Sequence, residues 1–539
     1  MQLTTISKAE VFSPFTSLSS HDKNLWPFFF GCICLPFCDF PFVNGPEISK
    51  YIVLYVIASC GFFLIAREKA LSILYLTSYQ VYLLLALIGV LFFNYTYHRV
   101  NFFSPPSIER VLFWALFLYY SYSMREIQKS EKIFLYGALF MGTGLFISAG
   151  FLNFIFNDRF LSFTFHNINK SAEYVGLSLA VQLGLFSQTR GKVRKILFGL
   201  ISGSLAYVYF TNCRSIFLGI VAVIGYLLWA RVMKSRDFFK LALGAFFSIL
   251  MFQTIFHRLG TFPTDMTHKW GSTVERWHLL KNTFSLIQDF PWGVGLGKYG
   301  NAATPYMKNL PNGAFTEGYF LFSPLSEPVR FVAEEGIVAS FLIFLFFFSF
   351  IFPFHKLKTI SEKCPEAIAF FVIFFVQCLF QYPFYQPLPL FIVPFVLAYT
   401  AHFTIGQRSF VASASFWIKK GVGVYFAFAA IVIGGSSYIS FHQIDNLALT
   451  QKVYRFWKDP SLLRNILFMS HVNENYADMH AYALREWERD PQNLISLKYL
   501  GLSYLYKGDL SKGCSYLRSY QAAYSPPSTV DEKIKKFCE

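Results

Sequence analysis

Thirteen apolar stretches recur between residues 25 and 440 of this chain, at 25–42, 51–66, 73–95, 110–123, 133–156, 172–187, 196–210, 216–230, 241–256, 336–354, 366–382, 388–402 and 421–440. Runs of about 15 to 25 apolar residues match the length a helix needs to cross a bilayer core about 30 Å thick. Inside hydrocarbon every backbone N–H and C=O must be satisfied within the protein, and a helix does this within its own segment. The pattern therefore predicts an all-α, polytopic bundle of about 12–13 spans. Charged residues make up only 14% of the chain, roughly half the share of a soluble domain.

The net charge of +16 raises the question of nucleic acid, but its placement answers otherwise. With the N-terminus inside, alternate loops carry Arg67 and Lys69; Arg125, Lys129 and Lys132; Arg190, Lys192, Arg194 and Lys195; Arg231, Lys234, Arg236 and Lys240; Lys356, Lys358 and Lys363; and Arg408, Lys419 and Lys420. The intervening short loops hold only Lys50, Arg99, Arg110, Arg159, Lys170 and Arg214. That asymmetry is the signature of a cytoplasmic side facing anionic lipid. It predicts membrane lipids as neighbours and no nucleic-acid partner.

Four parts follow. Residues 1–24 form a polar cytoplasmic segment, with no cleavable signal expected before the first span. Residues 25–440 form the transmembrane domain, interrupted by a large outward loop at 257–335. Residues 441–539 are richer in charge and helical in period, and lie outside. There Leu497, Leu500, Gly501 and Tyr504 share a helix face, Gly508-Asp509 turns the chain, and Leu517 continues a second helix. Asp459-Pro460 and Asp490-Pro491 recur at a spacing of 31, close to the ~34-residue tetratricopeptide period. The tail reads as a tetratricopeptide-like unit or a plain helical hairpin bundle, either able to offer a protein-binding face. Cys514 and Cys538 lie in it, and an oxidising compartment would allow them to pair.

The outward loop carries the densest polar pattern. Ser272 and Glu275 have capping-box spacing. They predict a helix over Thr273–Gln288, with Val274, Trp277, Leu280, Phe284, Leu286 and Ile287 on one side and Arg276 in its first turn. Pro291 stops it, and Gly293, Gly295 and Gly297 form a close-approach turn. That turn follows a helix rather than a strand, lacks GxGxxG spacing and has Tyr299 where a P-loop needs Ser or Thr, so nucleotide binding is excluded. Arg214, in the short outward turn Thr211-Asn212-Cys213-Arg214-Ser215, must face water, lipid phosphate or a bound anion. Two outward arginines could bracket a diphosphate.

These segments resemble one family. Phe163-Thr164-Phe165-His166-Asn167-Ile168-Asn169-Lys170-Ser171-Ala172 resembles its "G-T-F-x-N-P-N-x-x-A". Asn212-Cys213-Arg214-Ser215-Ile216-Phe217-Leu218-Gly219 resembles its "S-R-S-x-x-L-G". Arg276-Trp277, with Asp289-Phe290-Pro291-Trp292-Gly293-Val294-Gly295-Leu296-Gly297, resembles its "R-W … D-x-P-L-x-G-x-G-x-G", and Glu334-Glu335-Gly336-Ile337 its "E-x-G-I". The family is the O-antigen ligase, O-antigen polymerase and protein O-oligosaccharyltransferase group of bacterial inner-membrane glycosyltransferases. The resemblance covers roughly 130–400 and omits the tail. It implies a donor glycan on undecaprenyl diphosphate, transferred to an acceptor hydroxyl on lipid A-core, a growing glycan or a protein at the periplasmic face. Arg214 and Arg276 would hold the leaving diphosphate. Asn169, Asn212, His278 and the glycines Gly293, Gly295 and Gly297 would contact substrate. No metal or other cofactor is implied.

One departure stands out: Leu325 occupies the position where ligases of this family carry a histidine. Glu327, His268 or His278 then remain to activate the acceptor, or little base catalysis is needed. Two other classes stay open: a flippase for lipid-linked oligosaccharide, and a non-catalytic scaffold that presents the tail to a protein partner.

Overall fold

The computed structural model describes residues 25–39, 46–66, 73–74, 78–98, 105–124, 132–157, 168–258, 269–307, 324, 326–351, 364–381, 383–405, 410–411, 416–442, 447–456, 460–489, 493–523, 534 and 536–538. Each of the thirteen apolar stretches supplies a helix. They are α1 (Trp26–Cys34), α2 (Pro46–Ala66), α3 (Ser78–Tyr97), α4 (Pro105–Ser123), α5 (Lys132–Asn157), α6 (Ile168–Phe186), α7 (Gly191–Thr211), α8 (Arg214–Trp229) and α9 (Ser235–Arg258). After the loop helices α10 (Lys269–Asp289) and α11 (Tyr299–Ala303) come α12 (Glu327–Ile351), α13 (Pro365–Phe380), α14 (Pro387–Ile405) and α15 (Phe416–His442). Apart from a two-residue antiparallel ladder pairing Ile73 with Val411 and Leu74 with Phe410, the described chain is all-α. Seven of its helices are long and apolar enough to cross a membrane on their own. The protein is a multi-pass membrane protein.

The bundle is built from pairs distant in sequence: α2 against α15, α3 against α12, α4 against α14, and α13 against both α6 and α8. Small residues permit the tightest of these approaches. A Cβ on Gly219 of α8 would stand 2.5 Å from the Ile373 side chain of α13, and one on Gly184 of α6 would stand 2.3 Å from the Glu366 backbone. The peripheral helix α9 turns nearly its whole surface outward, only 6% of its apolar window being buried. That is the exposure expected of a helix solvated by lipid.

The first expected span, 25–42, is realised differently. Its α-helix is nine residues long, continued by a 3-10 turn at Leu35–Phe37, and at 1.5 Å per residue it reaches only ~14 Å. Phe28 stacks on Phe395 of α14 and Phe37 meets Phe146 of α5, so α1 is a core plug rather than a full crossing. Pro36 lies in that 3-10 turn, and a Pro restricts the residue before it, here Leu35, the C-cap of the α-helix. Residues 40–42 lie outside the described set.

Helix α12 is broken. Gly336 sits at φ 83°, ψ 167° and divides a polar outer half, Glu327–Glu335, from an apolar inner half. The break frees backbone groups that the glycine turn takes up. Val294 N–H donates to Ala333 O (2.9 Å), Gly295 N–H to Glu334 O (3.0 Å), and Ile337 N–H to Pro291 O (3.0 Å). Asn94 of α3 donates its Nδ2 to Glu335 O at 2.6 Å. Gly293, Gly295 and Gly297 all have positive φ. A Cβ on Gly293 would lie 2.4 Å from Glu334 O, and one on Gly336 would lie 2.5 Å from the Trp292 carbonyl carbon.

The tail is a succession of helices, α16 (Leu447–Phe456), α17 (Pro460–Val472), α18 (Tyr476–Arg489), α19 (Leu494–Tyr506) and α20 (Leu510–Ala523), each packed on the next. Gly501 and Gly513 do the work of small interface residues, since a Cβ on them would stand 2.7 Å from Leu517 and 2.6 Å from Leu505. Cys514 and Cys538 form a disulfide with Cα atoms 5.6 Å apart, and Arg518 donates to Cys538 O at 2.8 Å. Helix α20 touches the short turn Thr304–Met307 of the large loop, so the tail rests on the loop.

Gly293→Ala will lower the melting temperature of the detergent-solubilised protein by an amount matching a loss of about 1–3 kcal/mol, from strained φ and a backbone clash. Gly199→Ala, where an added Cβ meets nothing within 4 Å, will leave it unchanged or raise it. Equal melting temperatures for the two variants would refute the backbone-docking role of the glycine turn.

Candidate functional site

Helices α7 and α8 meet at a turn of two residues. Asn212 closes α7 in the left-handed region, at φ 50° and ψ 38°, a conformation that asparagine tolerates better than most residues. Cys213 then precedes α8, and no side chain caps that helix. Arg214 is its first residue, at a helix start where Ile216 and Phe217 N–H donate to Cys213 O and the N–H groups of Arg214 and Ser215 precede the helical ladder. Arg214 is exposed and makes no hydrogen bond or ion pair with any described residue.

Arg276 arrives from the loop. Its helix, α10, begins at Lys269, four residues before the expected start, so Arg276 lies in the third turn rather than the first. The anion-attracting helix terminus at this site is therefore that of α8, not that of α10. Arg276 donates from a terminal nitrogen to Phe380 O at 2.9 Å, and its buried Nε has no protein partner. One of its donors is an anchor, and the rest of the fork is left for a ligand.

Both arginines line one cavity of ≈ 580 Å³, together with Asn169, Asn212, Ser215 and Gln381. Its remaining wall includes Leu218, Trp277, Leu280, Leu379 and Phe380. Trp277 is 68% exposed and Leu379 55%, so the apolar wall continues onto the outer surface of the bundle. Two planar cations, an uncapped helix start and amide side chains at one end suit a phosphate anion. The apolar wall suits a hydrocarbon chain attached to it.

The other expected site residues fall elsewhere. Gly293, Gly295 and Gly297 do not line this cavity; Gly293 docks on the break in α12, while Gly295 and Gly297 approach His98 and Pro106, each at positive φ. His278 is part-buried on α10 and does not line the cavity either. Glu327 is 1% exposed and ion-paired to Arg330. Its N–H donates to Gln381 O at 3.0 Å, so it stands directly behind the cavity wall and not on it. His268 and Leu325 lie outside the described residues. The apolar face predicted for α10 is also shifted. Leu279, Leu286 and Ile287 are buried with Thr283, while Trp277 and Phe284 point out, because the outward side meets a cavity and apolar surroundings rather than water alone.

Sequence reasoning missed several residues that build the site. Glu173, one turn after Asn169 on α6, is fully buried and accepts from Gln386 Nε2 at 2.5 Å. Phe380 and Gln381, at the end of α13, supply the carbonyls that hold Arg276 and Glu327. A span end more than a hundred residues from Arg276 carries no local signal for this. Behind the wall, Arg330 also pairs with Glu334 at 3.6 Å, and Arg110 of α4 with Glu335 at 3.9 Å. Arg110 lies over the Phe331 ring, 4.0 Å from its centroid.

Residues 198–345 match the family model described as O-antigen ligase. The match runs from α7 to α12 and contains both arginines, the glycine turn and the broken helix. No curated protein and no solved structure matches the chain significantly.

Removing one partner of a buried ion pair leaves the other charge uncompensated, at a cost of about 3–5 kcal/mol. Arg330→Met will accordingly destabilise the protein by that order, measured as a fall in thermal midpoint in detergent. Glu334→Gln, which retains hydrogen-bonding capacity, will cost less. A melting curve for Arg330→Met that overlays the wild type would contradict the paired state of this cluster.

Proposed function

We propose, from the premise that residues 198–345 form an O-antigen ligase family domain, that this chain is a glycosyltransferase drawing on undecaprenyl diphosphate. It moves a glycan from that carrier to an acceptor hydroxyl on the periplasmic face of the bacterial inner membrane. One observation carries the reading: Arg214 and Arg276, far apart in sequence, line a single cavity whose other wall is apolar and open at the surface.

The chemistry follows from that geometry. An acceptor oxygen attacks the anomeric carbon, the bond from that carbon to the phosphate oxygen breaks, and the electron pair leaves with the diphosphate. Negative charge grows on phosphate oxygen, where Arg214, the free fork of Arg276 and the α8 N-terminus stabilise it by electrostatic preorganisation. The proton lost by the acceptor passes to solvent or to the departing phosphate. Glu327, committed to Arg330, serves as a positioning residue that secures Gln381, and not as the base. The isoprenoid lies along Trp277, Leu379 and Phe380. Metal has no part in this reading, which expects a chelator to leave turnover unchanged.

Lipid A-core, a growing glycan and a protein all remain acceptors of the right chemistry. The tail, resting on the loop beside the site, favours a proteinaceous acceptor or an assembly partner. Its disulfide agrees with an outward, oxidising location.

Purified protein in liposomes with a polyprenyl-diphosphate-linked glycan and an acceptor pool tests this. Arg214→Ala and Arg276→Ala will each reduce transfer on the order of 10²–10³-fold with melting temperature maintained. Lysine at either position will recover part of the rate, since charge returns without the planar fork. Alanine variants that transfer at the wild-type rate would end the enzymatic reading. Lipid-linked sugar moved between leaflets without consumption would replace it with a flippase.

A further inference from the structure

A second cavity opens where α12 meets α3. It measures ≈ 190 Å³ and shares no lining residue with the first. Its shaft is apolar, walled by Gly89, Val90 and Phe93 on α3 and by Val338 and Ala339 on α12. Asn94, His98 and Glu335 complete its lining beside Trp292 and the Gly336 break.

The polar end is built but unfinished. Asn94 is 6% exposed, and its Nδ2 is spent on Glu335 O at 2.6 Å and Trp292 O at 3.4 Å. Those bonds fix the amide and leave Oδ1 buried without a partner. Glu335 is 2% exposed; its Oε1 takes Tyr95 Oη at 3.2 Å and faces Arg110 at 3.9 Å, while Oε2 is buried and unpartnered. The buried Nε2 of His98 is likewise unmatched. A buried acceptor without a donor costs free energy, so two of them at the mouth of one apolar groove define the complement they lack. That complement is a cluster of N–H donors carried on a hydrocarbon chain.

A cation stands one step further out. Lys298 donates its Nζ to His98 O at 3.3 Å, which places a positive charge just beyond the acceptors.

We infer that this groove holds one molecule of a zwitterionic bilayer lipid with a primary ammonium headgroup, of the phosphoethanolamine class. An acyl chain fills the shaft between α3 and α12. The ammonium donates to Asn94 Oδ1 and Glu335 Oε2, and the phosphate faces Lys298. This assignment is independent of the reaction at the arginine cavity.

Gly89 makes the groove testable, because a Cβ there meets nothing within 4 Å and φ is helical, so a large side chain fills the shaft without displacing protein. Gly199→Trp on α7, equally unobstructed, serves as control. Protein purified in a mild detergent is exchanged into nanodiscs of equal parts phosphatidylethanolamine, phosphatidylcholine and phosphatidylglycerol. It is then stripped with detergent and its retained lipid weighed by native mass spectrometry. Wild type and Gly199→Trp will retain phosphatidylethanolamine over phosphatidylcholine by on the order of ten-fold, the worth of charge-assisted hydrogen bonds that choline cannot make. Gly89→Trp will lose that preference, and Glu335→Gln will weaken it while leaving the shaft open. Equal retention of choline and ethanolamine lipids, preference for phosphatidylglycerol, or undiminished ethanolamine retention by Gly89→Trp would each overturn the assignment.

Discussion

The break at Gly336 is the constraint on which the rest of the site depends. A helix interrupted midway leaves carbonyls and an N–H that its own hydrogen-bond ladder cannot satisfy. Here Val294, Gly295, Pro291 and Asn94 meet those groups one for one. The approach is so close that neither Gly293 nor Gly336 has room for a methyl group. Three successive left-handed glycines in the loop are thus the local solution to a problem created on a distant helix. They also bind the loop to the ends of α3 and α4, where Gly295 meets His98 and Gly297 meets Pro106.

From that junction a chain of contacts leads to the arginine cavity. The turn fixes the outer half of α12, and the first N–H of that half, on Glu327, grips Gln381 O at the end of α13. The preceding residue, Phe380, presents the carbonyl that anchors Arg276. Arg330, held between Glu327 and Glu334, stiffens the same half-helix in an apolar setting. Buried ion pairs rarely add stability over a hydrophobic alternative, though they can specify one arrangement over others. Applied here, the cluster sets where α12 stands, and through α13 where Arg276 stands.

What could be read from the chain beforehand sorts by physical range. Hydropathy is a local property, and all thirteen helices were legible from it. The pairing of Arg214 with Arg276 was legible from motif resemblance, and both line one cavity. The start of α10 was misplaced because Ser272 and Glu275 imitate a cap, while the helix begins at Lys269. The glycines were read as a substrate loop because their spacing announces a close approach but not to what. For Gly293 the neighbours are Glu334 and Gly336, for Gly295 His98 and for Gly297 Pro106. Phe380 and Gln381 were invisible for a related reason: a carbonyl at a span end has no side-chain signature, and its partner, Arg276 or Glu327, lies on a distant segment. Glu173 escaped because its partner, Gln386, lies on another helix far along the chain. The brevity of α1 escaped hydropathy as well, since an apolar plug and an apolar span have the same composition.

The two arginines are held unequally, and that inequality bears on how such a site works. Arg276 is fixed through Phe380 O with its Nε buried, so its orientation exists before any anion arrives. Arg214 has no described partner and sits at the open start of α8, where its long side chain retains rotamer freedom. Ordering it on an arriving anion costs on the order of 1–2 kcal/mol, which weakens ground-state binding. The cost is recovered if the interaction strengthens as charge moves onto the leaving group, since only contacts tighter in the transition state accelerate a reaction. On the proposed reading, one fixed cation places the diphosphate and one adaptable cation follows its developing charge, an arrangement that fits turnover better than storage of a bound lipid.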